Sequence, residues 1–167
     1  LLIEAQLKQK DDLYKYEFYS YLFILNNQFL DDKELNTKIE TLLVQNERDD
    51  FFWDTWPSSR RSVSLIYFLS LTDKNNDYLI KEIYRTIDYV YSNLEYRLLG
   101  NHLITNIKCL IYGGVFFNTK KSKRWLKKGL SLLTKELDRQ ILDDGGHFEQ
   151  STMYHRIVLK ELLDTLF

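Results

Sequence analysis

The polar residues best suited to catalysis follow Gly100 in the sequence. They are the three histidines of the chain and the polar residues beside them, namely Asn101, His102, His147, Glu149, Tyr154 and His155. Histidine and glutamate are good zinc ligands, but no His-Glu-x-x-His motif occurs, and His147 and Glu149 flank a stretch without helical periodicity. We therefore expect no metal site and no cofactor. A serine triad has no support either, because the Gly-x-Ser-x-Gly elbow is missing. These six residues are either acid–base and hydrogen-bonding groups or ordinary side chains at the surface and the edge of the core.

Apolar residues recur at steps of three and four along most of the chain, which is the pattern of amphipathic helices. The clearest runs cover residues 14–29, 79–98 and 126–141, and weaker ones cover residues 33–45, 58–71, 102–117 and 152–167. Short polar side chains near several of these starts can accept hydrogen bonds from free helix N–H groups. The pair Asp144-Gly145 follows a helix and is interpreted as a stop signal rather than a hairpin turn. The sequence predicts an all-α protein with almost no sheet.

Helices joined by short connections are expected to pack as successive antiparallel hairpins. Asn101 would open one helix and Tyr154 would lie in the first turn of another, with a long helix at residues 122–142 between them. A helix that runs out and returns brings both helix starts to the same face of the layer. Helix N-termini carry partial positive charge, so this face would suit a polyanionic ligand.

The overall composition is that of one globular domain. A chain of 167 residues with 44% hydrophobic and 28% charged residues is neither disordered nor fibrous. The net charge of −1 provides no overall field that would attract nucleic acid or an anionic membrane. The basic run at residues 120–124, continued by Lys127 and Lys128, is expected to be a solvated helix face. No apolar run is long enough to span a membrane, and the single cysteine, Cys109, excludes an intrachain disulfide.

Aromatic residues make up 15% of the chain, which is its one departure from an ordinary composition. Most are expected to fill the core, although such rings also form stacking platforms for sugars. Two segments lack helical periodicity, residues 47–57, which contain Trp53 and Trp56, and residues 142–151. Loops on a rigid scaffold commonly hold binding groups, so the first segment is either a wall of a ligand site or a cap on the core. The second either orders a site or is purely structural.

Three stretches of the sequence resemble one known family. Residues 93–117 read NLEYRLLGNHLITNIKCLIYGGVFF and are similar to the EyhLLGNHLl.N.kAL.fag.fF stretch that is typical of the heparinase II/III-like family. Residues 137–155 read LDRQILDDGGHFEQSTMYH and are similar to its EQiL.DGGHfErSpMYH stretch. Upstream, WPSSRR at residues 56–61 resembles its Trp, Pro and Ser-x-Arg signature, with Arg61 at the arginine position. The resemblance covers residues 52–167 in the same order and at similar spacing.

The resemblance implies a fold and a larger protein. Family members have an (α/α) toroid as the N-terminal part of a polysaccharide lyase, followed by a β-sandwich domain, so residues 1–167 would be part of one toroid domain. The chain starts at Leu1 rather than Met, which agrees with a fragment. Lyases of this kind take a further histidine from the β-domain, so this chain alone is expected to show little turnover. Cys109, Ser64 and Thr152 stand where Ala, Asn and Pro are usual, and none of them removes a proposed catalytic group.

The chemistry implied by the resemblance is β-elimination on a glycan that contains uronate sugars. The proton at C5 leaves, and the glycosidic oxygen departs from C4. Asn101 would donate its amide N–H to the neighbouring carboxylate, and protonated His102 could do the same, which stabilises the enediolate-like charge. Tyr154 would act as base or acid. Substrate binding would involve Arg61, Trp53, Trp56, His147, Glu149 and His155.

Each of these roles has a plain structural alternative. Asn101 would be an N-cap, His102 a ring at the core edge and Tyr154 a packing aromatic. For the whole chain, a lyase domain competes with a non-catalytic glycan-binding or scaffold toroid and with a helical-repeat interaction module. The expected partners are an acidic polysaccharide, the β-domain of the same protein and, through apolar edges of an incomplete ring, a second copy of the chain. A full-length lyase favours the bacterial periplasm or the extracellular space, and the cytoplasm stays open.

Overall fold

The structure is a computed structural model that describes residues 32–72, 76–98 and 100–166. Within these ranges the helices are α1 Asp32–Asn46, α2 Asp50–Trp53, α3 Thr55–Thr72, α4 Asp77–Ser92, α5 Gly100–Phe116, α6 Lys120–Gln140 and α7 Thr152–Leu166. The same ranges contain no β-strand, so the prediction of an all-α chain is confirmed. The helix predicted at residues 14–29 lies outside the described residues.

Residues 47–57, predicted to lack helix, are mostly helical. The single turn of α2 begins after Asp49, whose side chain accepts a hydrogen bond from the Phe51 N–H at 2.9 Å. After one further residue α3 begins, so that Trp56 and Pro57 lie in its first turn. A proline is tolerated there because its missing N–H would have had no partner within the helix. The Asp49 cap and the proline in the first turn of α3 therefore favour helix here, although the segment has no periodic apolar pattern.

The end of α4 lies at Ser92, well before the predicted end. The side-chain amide of Asn93 donates to the Tyr89 carbonyl at 2.8 Å, which satisfies a carbonyl of the last helical turn. The chain then leaves the helix and forms a turn in which the Glu95 N–H donates to Asn106 Oδ1 on α5 at 3.0 Å. Tertiary hydrogen bonds thus replace the helical ones that the periodicity predicted.

Residues 142–151 form the predicted break between helices, but the interpretation of Asp144-Gly145 as a plain helix stop is wrong. Ile141 and His147 form an isolated antiparallel bridge, and two backbone hydrogen bonds of 2.8 and 2.9 Å flank it. Gly145 adopts a φ of +82°, which residues with a side chain rarely adopt, and this allows the chain to reverse. The pair therefore belongs to the turn of a minimal hairpin, which the hydrogen bond from the Gly145 N–H to the Leu142 carbonyl closes.

The helices form two layers of opposite direction. α3, α5 and α7 run side by side in the same direction. The hydrogen-bonded pairs that show this are Asn106 with Ser59 and Tyr112 with Tyr67 between α5 and α3, and Lys108 with Glu161 and Tyr112 with Asp164 between α5 and α7. α4 and α6 return the chain, so consecutive long helices from α3 onwards are antiparallel hairpins, as predicted. The first turns of α3, α5 and α7 therefore share one end of the molecule.

α5 and α6 pack closely across two glycines. A Cβ added at Gly114 would lie 2.5 Å from the Leu126 Cβ, and one at Gly129 would lie 2.8 Å from the side chain of Ile111. Position 114 faces position 126 and position 111 faces position 129, which shows that the two helices are antiparallel. Only glycine permits this separation of the two backbones.

The core lies between the layers and is rich in aromatic rings. Phe52 and Trp125 are each 1% exposed, and Trp125 contacts the rings of Tyr84 and Phe117. This is the role expected for most of the aromatic residues. Cys109 is fully buried in the same core, and burial raises the pKa of its thiol to about 12, so it remains protonated at neutral pH.

Candidate active site

Three helix starts bring predicted site residues to one end of the parallel layer. The first turn of α3 carries Trp56, that of α5 carries Asn101 and His102, and that of α7 carries Tyr154. The expected arrangement is found, because α5 and α7 are parallel neighbours and α6 returns the chain between them. Each helix start presents free N–H groups and partial positive charge. This end of the layer therefore suits an anionic ligand.

An aromatic stack joins α3 to α5 at this end. The rings of Trp56 and His102 lie 5.5 Å apart between centroids and are inclined by 30°. The guanidinium carbon of Arg60 lies 4.5 Å from the centroid of the Trp56 ring, a distance typical of a cation–π contact. Trp56 and His102 are both half-buried, so part of each ring reaches solvent.

A carboxylate also holds His102. The Nδ1 atom of His102 lies 3.2 Å from Glu95 Oε1, and Glu95 Oε2 accepts a hydrogen bond from Asn106 Nδ2 at 3.0 Å. Asn106 is completely buried and also donates to the hydroxyl of Ser59 on α3 at 3.1 Å. These bonds connect the imidazole to the turn before α5 and to α3.

Gly100 shapes the start of α5. Its φ of +52° lies in the left-handed region that favours glycine, and its carbonyl accepts a hydrogen bond from Gln140 Nε2 at 3.4 Å. A Cβ added at Gly100 would overlap Glu149 Oε1. The Glu149 carboxylate therefore lies against the residue that precedes Asn101. Asn101 itself is half-buried and lies within the first turn of α5, not at its cap.

His147 lies beneath the loop that carries Glu149. It is 2% exposed, and its Nε2 atom lies 3.0 Å from Gln140 Oε1. Burial lowers the pKa of the His147 ring, the charge of Glu149 opposes this change and His155 adds to it. Through Gln140 the ring is linked to the carbonyl of Gly100, so His147 supports the start of α5.

Ser151 directly precedes α7 and lies next to a cavity. The Ser151 carbonyl accepts a hydrogen bond from the His155 N–H at 2.8 Å, and its hydroxyl lies 3.5 Å from the Tyr154 N–H. Tyr154 and His155 are half-buried. A cavity of about 330 Å³ beside this turn is lined in part by His147, Ser151 and His155. A cavity of this size can hold part of a small ligand at the start of α7.

The sequence of the chain places it in a known family. The family model described as Heparinase II/III N-terminus matches residues 14–166. The chain belongs to this family. A heparin-sulfate lyase of Bacteroides stercoris is 38% identical over 61 residues, which are 36% of this chain and 9% of that protein. A heparin-sulfate lyase of Pedobacter heparinus is 28% identical over 120 residues, which are 67% of this chain and 18% of that protein.

Solved structures of similar proteins show the same fold for this heparinase II/III N-terminal domain. The crystal structure of heparinase III superimposes with a TM-score of 0.78 at 18% identity, covering 93% of this chain and 27% of that one. Heparan sulfate lyase HepC from Pedobacter heparinus gives a TM-score of 0.72 at 22% identity, covering 95% of this chain and 28% of that one. The chain is thus part of an α toroid and spans less than a third of the length of these relatives.

Two predicted binding residues of this heparinase II/III domain lie apart from the stack. Arg61 is 1% exposed, and its guanidinium carbon lies 3.7 Å from the centroid of the Phe52 ring. The Trp53 indole N–H donates to the Glu47 carbonyl at 2.8 Å, and its ring contacts that of Tyr89. Of the two interpretations of the aromatic segment, the cap on the core describes the surroundings of Trp53, whereas Trp56 lies beside the candidate site.

Three residues of the site were not predicted from the sequence, namely Glu95, Asn106 and Gln140. Glu95 and Asn106 lie within residues 93–117 and Gln140 within residues 137–155, two of the three stretches that resemble the heparinase II/III-like family, and this was the only available signal. Hydrogen bonding to His102, Glu95 and His147 distinguishes them in the structure. Such partners depend on the tertiary arrangement, which spacing along the chain does not show.

The basic run at the start of α6 is a solvated surface. Lys120, Lys123, Arg124 and Lys127 are exposed, and Lys121 pairs with Asp88 at 2.8 Å. Throughout the described ranges, each helix is too short or too polar to cross a membrane. The described residues also contain no group of three or more His, Cys, Asp or Glu side chains that could hold a metal ion.

Proposed function

We propose that this chain is the helical domain of a polysaccharide lyase that cleaves uronate-containing acidic glycans by β-elimination. The observation that carries the proposal is the meeting of the first turns of three parallel helices, which hold Trp56, His102, Asn101 and Tyr154 at one end of the toroid segment. The curated relatives named heparin-sulfate lyases support the reaction class. The acidic glycan and a β-sandwich domain of the same protein are the proposed partners.

The reaction divides between these residues as follows. A hydrogen bond from the Asn101 amide to the uronate carboxylate, assisted by His102, stabilises the negative charge that develops when C5 loses its proton. The Tyr154 oxygen accepts the proton from C5 and then donates it to the departing glycosidic oxygen. The electron pair of the C5–H bond forms the C4–C5 double bond, the C4–O bond breaks, and the departing oxygen takes up a proton to become a hydroxyl. Positive helix ends favour the polyanion throughout.

The surrounding residues provide sugar contacts in this proposal. The solvent-accessible part of the Trp56 ring offers an apolar contact for a sugar ring, and the Glu149 carboxylate beside Gly100 accepts hydrogen bonds from sugar hydroxyls. His155 lines the adjoining cavity. Arg61 and His147 are nearly inaccessible. They support the same surface indirectly, because Arg61 fixes α3 and His147 fixes the loop at residues 142–151.

Ultraviolet absorbance tests the proposal, because the new C4–C5 double bond is conjugated with the carboxylate. The intact protein is incubated with heparan sulfate and, separately, with alginate as a second uronate polymer. We expect the Tyr154→Phe variant to lose on the order of 10²- to 10⁴-fold in turnover, as for the loss of a positioned acid or base. The Asn101→Ala variant should lose roughly 10²- to 10³-fold, by analogy with the loss of an oxyanion-hole donor.

A matched control separates these effects from general damage. Tyr78 is 38% exposed and lies in the first turn of α4, at the opposite end of the layers, so Tyr78→Phe should leave turnover unchanged. Full activity of a folded Tyr154→Phe variant would refute the mechanism. Binding of either polymer without any increase in absorbance would identify a non-catalytic glycan-binding domain.

A further inference from the structure

The carboxylate of Glu95 is shared between two partners. Its Oε1 atom faces His102 Nδ1 at 3.2 Å, and its Oε2 atom accepts from Asn106 Nδ2 at 3.0 Å. The Glu95 side chain is 16% exposed and that of His102 is 32% exposed. A hydrogen bond to a charged acceptor at this level of burial is stronger than one between neutral groups in water.

The orientation of the Asn106 amide is fixed by its neighbours. Its Oδ1 atom accepts from the backbone N–H of Glu95, which can only donate. Its Nδ2 atom donates to the Ser59 hydroxyl as well as to Glu95. Because Asn106 is 0% exposed, water does not compensate a flipped amide. The side of the Glu95 carboxylate that meets Asn106 therefore always faces a donor.

The Glu95 carboxylate determines which nitrogen of the neutral His102 ring carries the proton. An ionised carboxylate is only an acceptor, so the ring nitrogen that faces Glu95 must carry the proton. In the neutral ring the proton then resides on Nδ1, and Nε2 keeps its lone pair. Stacking on Trp56, with the ring centroids 5.5 Å apart, restrains the plane of the imidazole. The tautomer and the ring plane are thus both specified.

We propose that Glu95 is the positioning residue of His102: it keeps the imidazole in the Nδ1–H tautomer and leaves Nε2 as the nitrogen that meets the acidic sugar. This inference depends on the proposed function only for what Nε2 contacts. In the neutral ring Nε2 is only an acceptor, so the form that assists Asn101 is protonated His102, in which Nδ1–H stays with Glu95 and Nε2–H donates to the sugar carboxylate. Such orienting carboxylates act through the histidine and need not touch the ligand.

The Glu95→Gln variant makes the tautomer measurable. Asn106 Nδ2 remains a donor, so the carbonyl oxygen of Gln at position 95 must face it, and the amide NH₂ then faces His102 Nδ1. The ring must accept that hydrogen bond, which moves its proton to Nε2. We expect ¹⁵N chemical shifts of histidine-labelled intact protein, recorded at alkaline pH with the rings neutral, to show Nδ1–H in the wild type and Nε2–H in the variant. The His102→Ala variant assigns the signals.

A control with the same substitution is available on α4. The Glu82 side chain is also 16% exposed and pairs with Arg85 at 2.7 Å, away from His102. Glu82→Gln should leave the His102 shifts and the turnover unchanged. If Glu95→Gln fails to fold, the wild-type spectrum alone decides the matter, because an Nε2–H tautomer in the wild type overturns the inference.

Turnover provides the second readout. We expect Glu95→Gln to lower kcat on the order of 10- to 100-fold with little change in KM, because a neutral amide no longer stabilises the protonated ring whose Nε2–H donates to the sugar carboxylate. This is less than the ~10⁴-fold loss known for the orienting carboxylate of a histidine general base, since His102 only assists Asn101 here. Glu95→Asp keeps two acceptor oxygens and should recover part of the loss. The Glu95→Gln/His102→Ala double variant should be no slower than His102→Ala, because both changes affect one unit. Additive losses would overturn the inference. A wild type that shows the Nδ1–H tautomer but no lyase activity would refute the proposed function and leave the positioning role of Glu95 intact.

Discussion

His147 makes part of the stability depend on pH. Burial lowers the pKa of its ring below the value of about 6.5 that an unfolded histidine has. Between these two pKa values the unfolded chain binds more protons than the folded one, so the free energy of unfolding rises with pH. The contribution is complete above about pH 6.5 and is lost as the pH falls towards the lowered pKa of the folded state.

The variant His147→Gln tests this dependence. It removes the ionisable ring and keeps a polar side chain beside Gln140. We expect the melting temperature, followed by circular dichroism, to fall less between about pH 7.5 and about pH 5.5 in the variant than in the wild type. Equal losses in both proteins would contradict a buried neutral ring at this position.

At the residue scale, the sequence predicted which residues lie at this end of the molecule better than it predicted the side chains that they contact. The strings around Asn101 and Tyr154 sufficed to predict that both residues open helices at one end. They did not show that His102 stacks on Trp56 or bonds Glu95, because those contacts require the turn after α4 and the parallel direction of α3 and α5. Arg61 illustrates the opposite case, since a matched signature residue proved to be 1% exposed.

At the scale of elements, the separation of α5 and α6 depends on Gly114. Alanine normally favours a helix over glycine by about 1 kcal/mol. Here the added Cβ would lie 2.5 Å from Leu126 Cβ and 2.8 Å from the Leu126 backbone. These backbone atoms cannot move without the rest of α6. We expect Gly114→Ala to reduce the free energy of unfolding by roughly 1–3 kcal/mol, opposite in sign to the helix propensity. Urea titration measures this change.

Ser131 supplies the comparison for that experiment. It lies on the exposed side of α6, so Ser131→Ala should change the free energy of unfolding by less than about 0.5 kcal/mol. A Gly114→Ala variant as stable as the wild type would show that the two helices separate without cost.

Helix existence was predictable, but several helix boundaries were not. Periodicity identifies long elements because their apolar faces must meet the core. The ends of α4 and the one-turn α2 depend instead on single caps, the amide of Asn93 and the carboxylate of Asp49. A single cap of this kind changes the stability of a helix end by about 1 kcal/mol. The apolar pattern of the sequence gives no sign of it.

At the scale of the whole molecule, the last helix leaves an apolar stripe uncovered in the described structure. Leu159, Leu163 and Leu166 recur at helical spacing on α7 and are 46%, 46% and 73% exposed. An apolar surface of this kind favours association. We expect residues 1–167, expressed alone, to form oligomers in sedimentation experiments, and Leu159→Lys with Leu163→Lys to reduce that association without loss of helical circular dichroism. A wild-type chain that stays monomeric at all concentrations would contradict this.

The overall arrangement was predictable only in part. Short connections between periodic segments predict antiparallel hairpins, and these are present. That α3, α5 and α7 form one parallel layer follows from contacts such as Lys108 with Glu161 at 2.9 Å, whose partners are far apart in the sequence. The family resemblance predicted the toroid where the physical pattern alone stopped at hairpins.

The contact between Trp56 and His102 also gives the site an optical signal. An imidazole in contact with an indole quenches its fluorescence, and more strongly when the imidazole is charged, so the emission of Trp56 depends on the state of the neighbouring ring. Trp53 and Trp125 lie elsewhere, in the cap and in the core. A Trp53→Phe background would leave the buried indole of Trp125 as a constant signal against which Trp56 reports. Occupation of this end of the toroid could then be followed by fluorescence alone, with any ligand and without turnover.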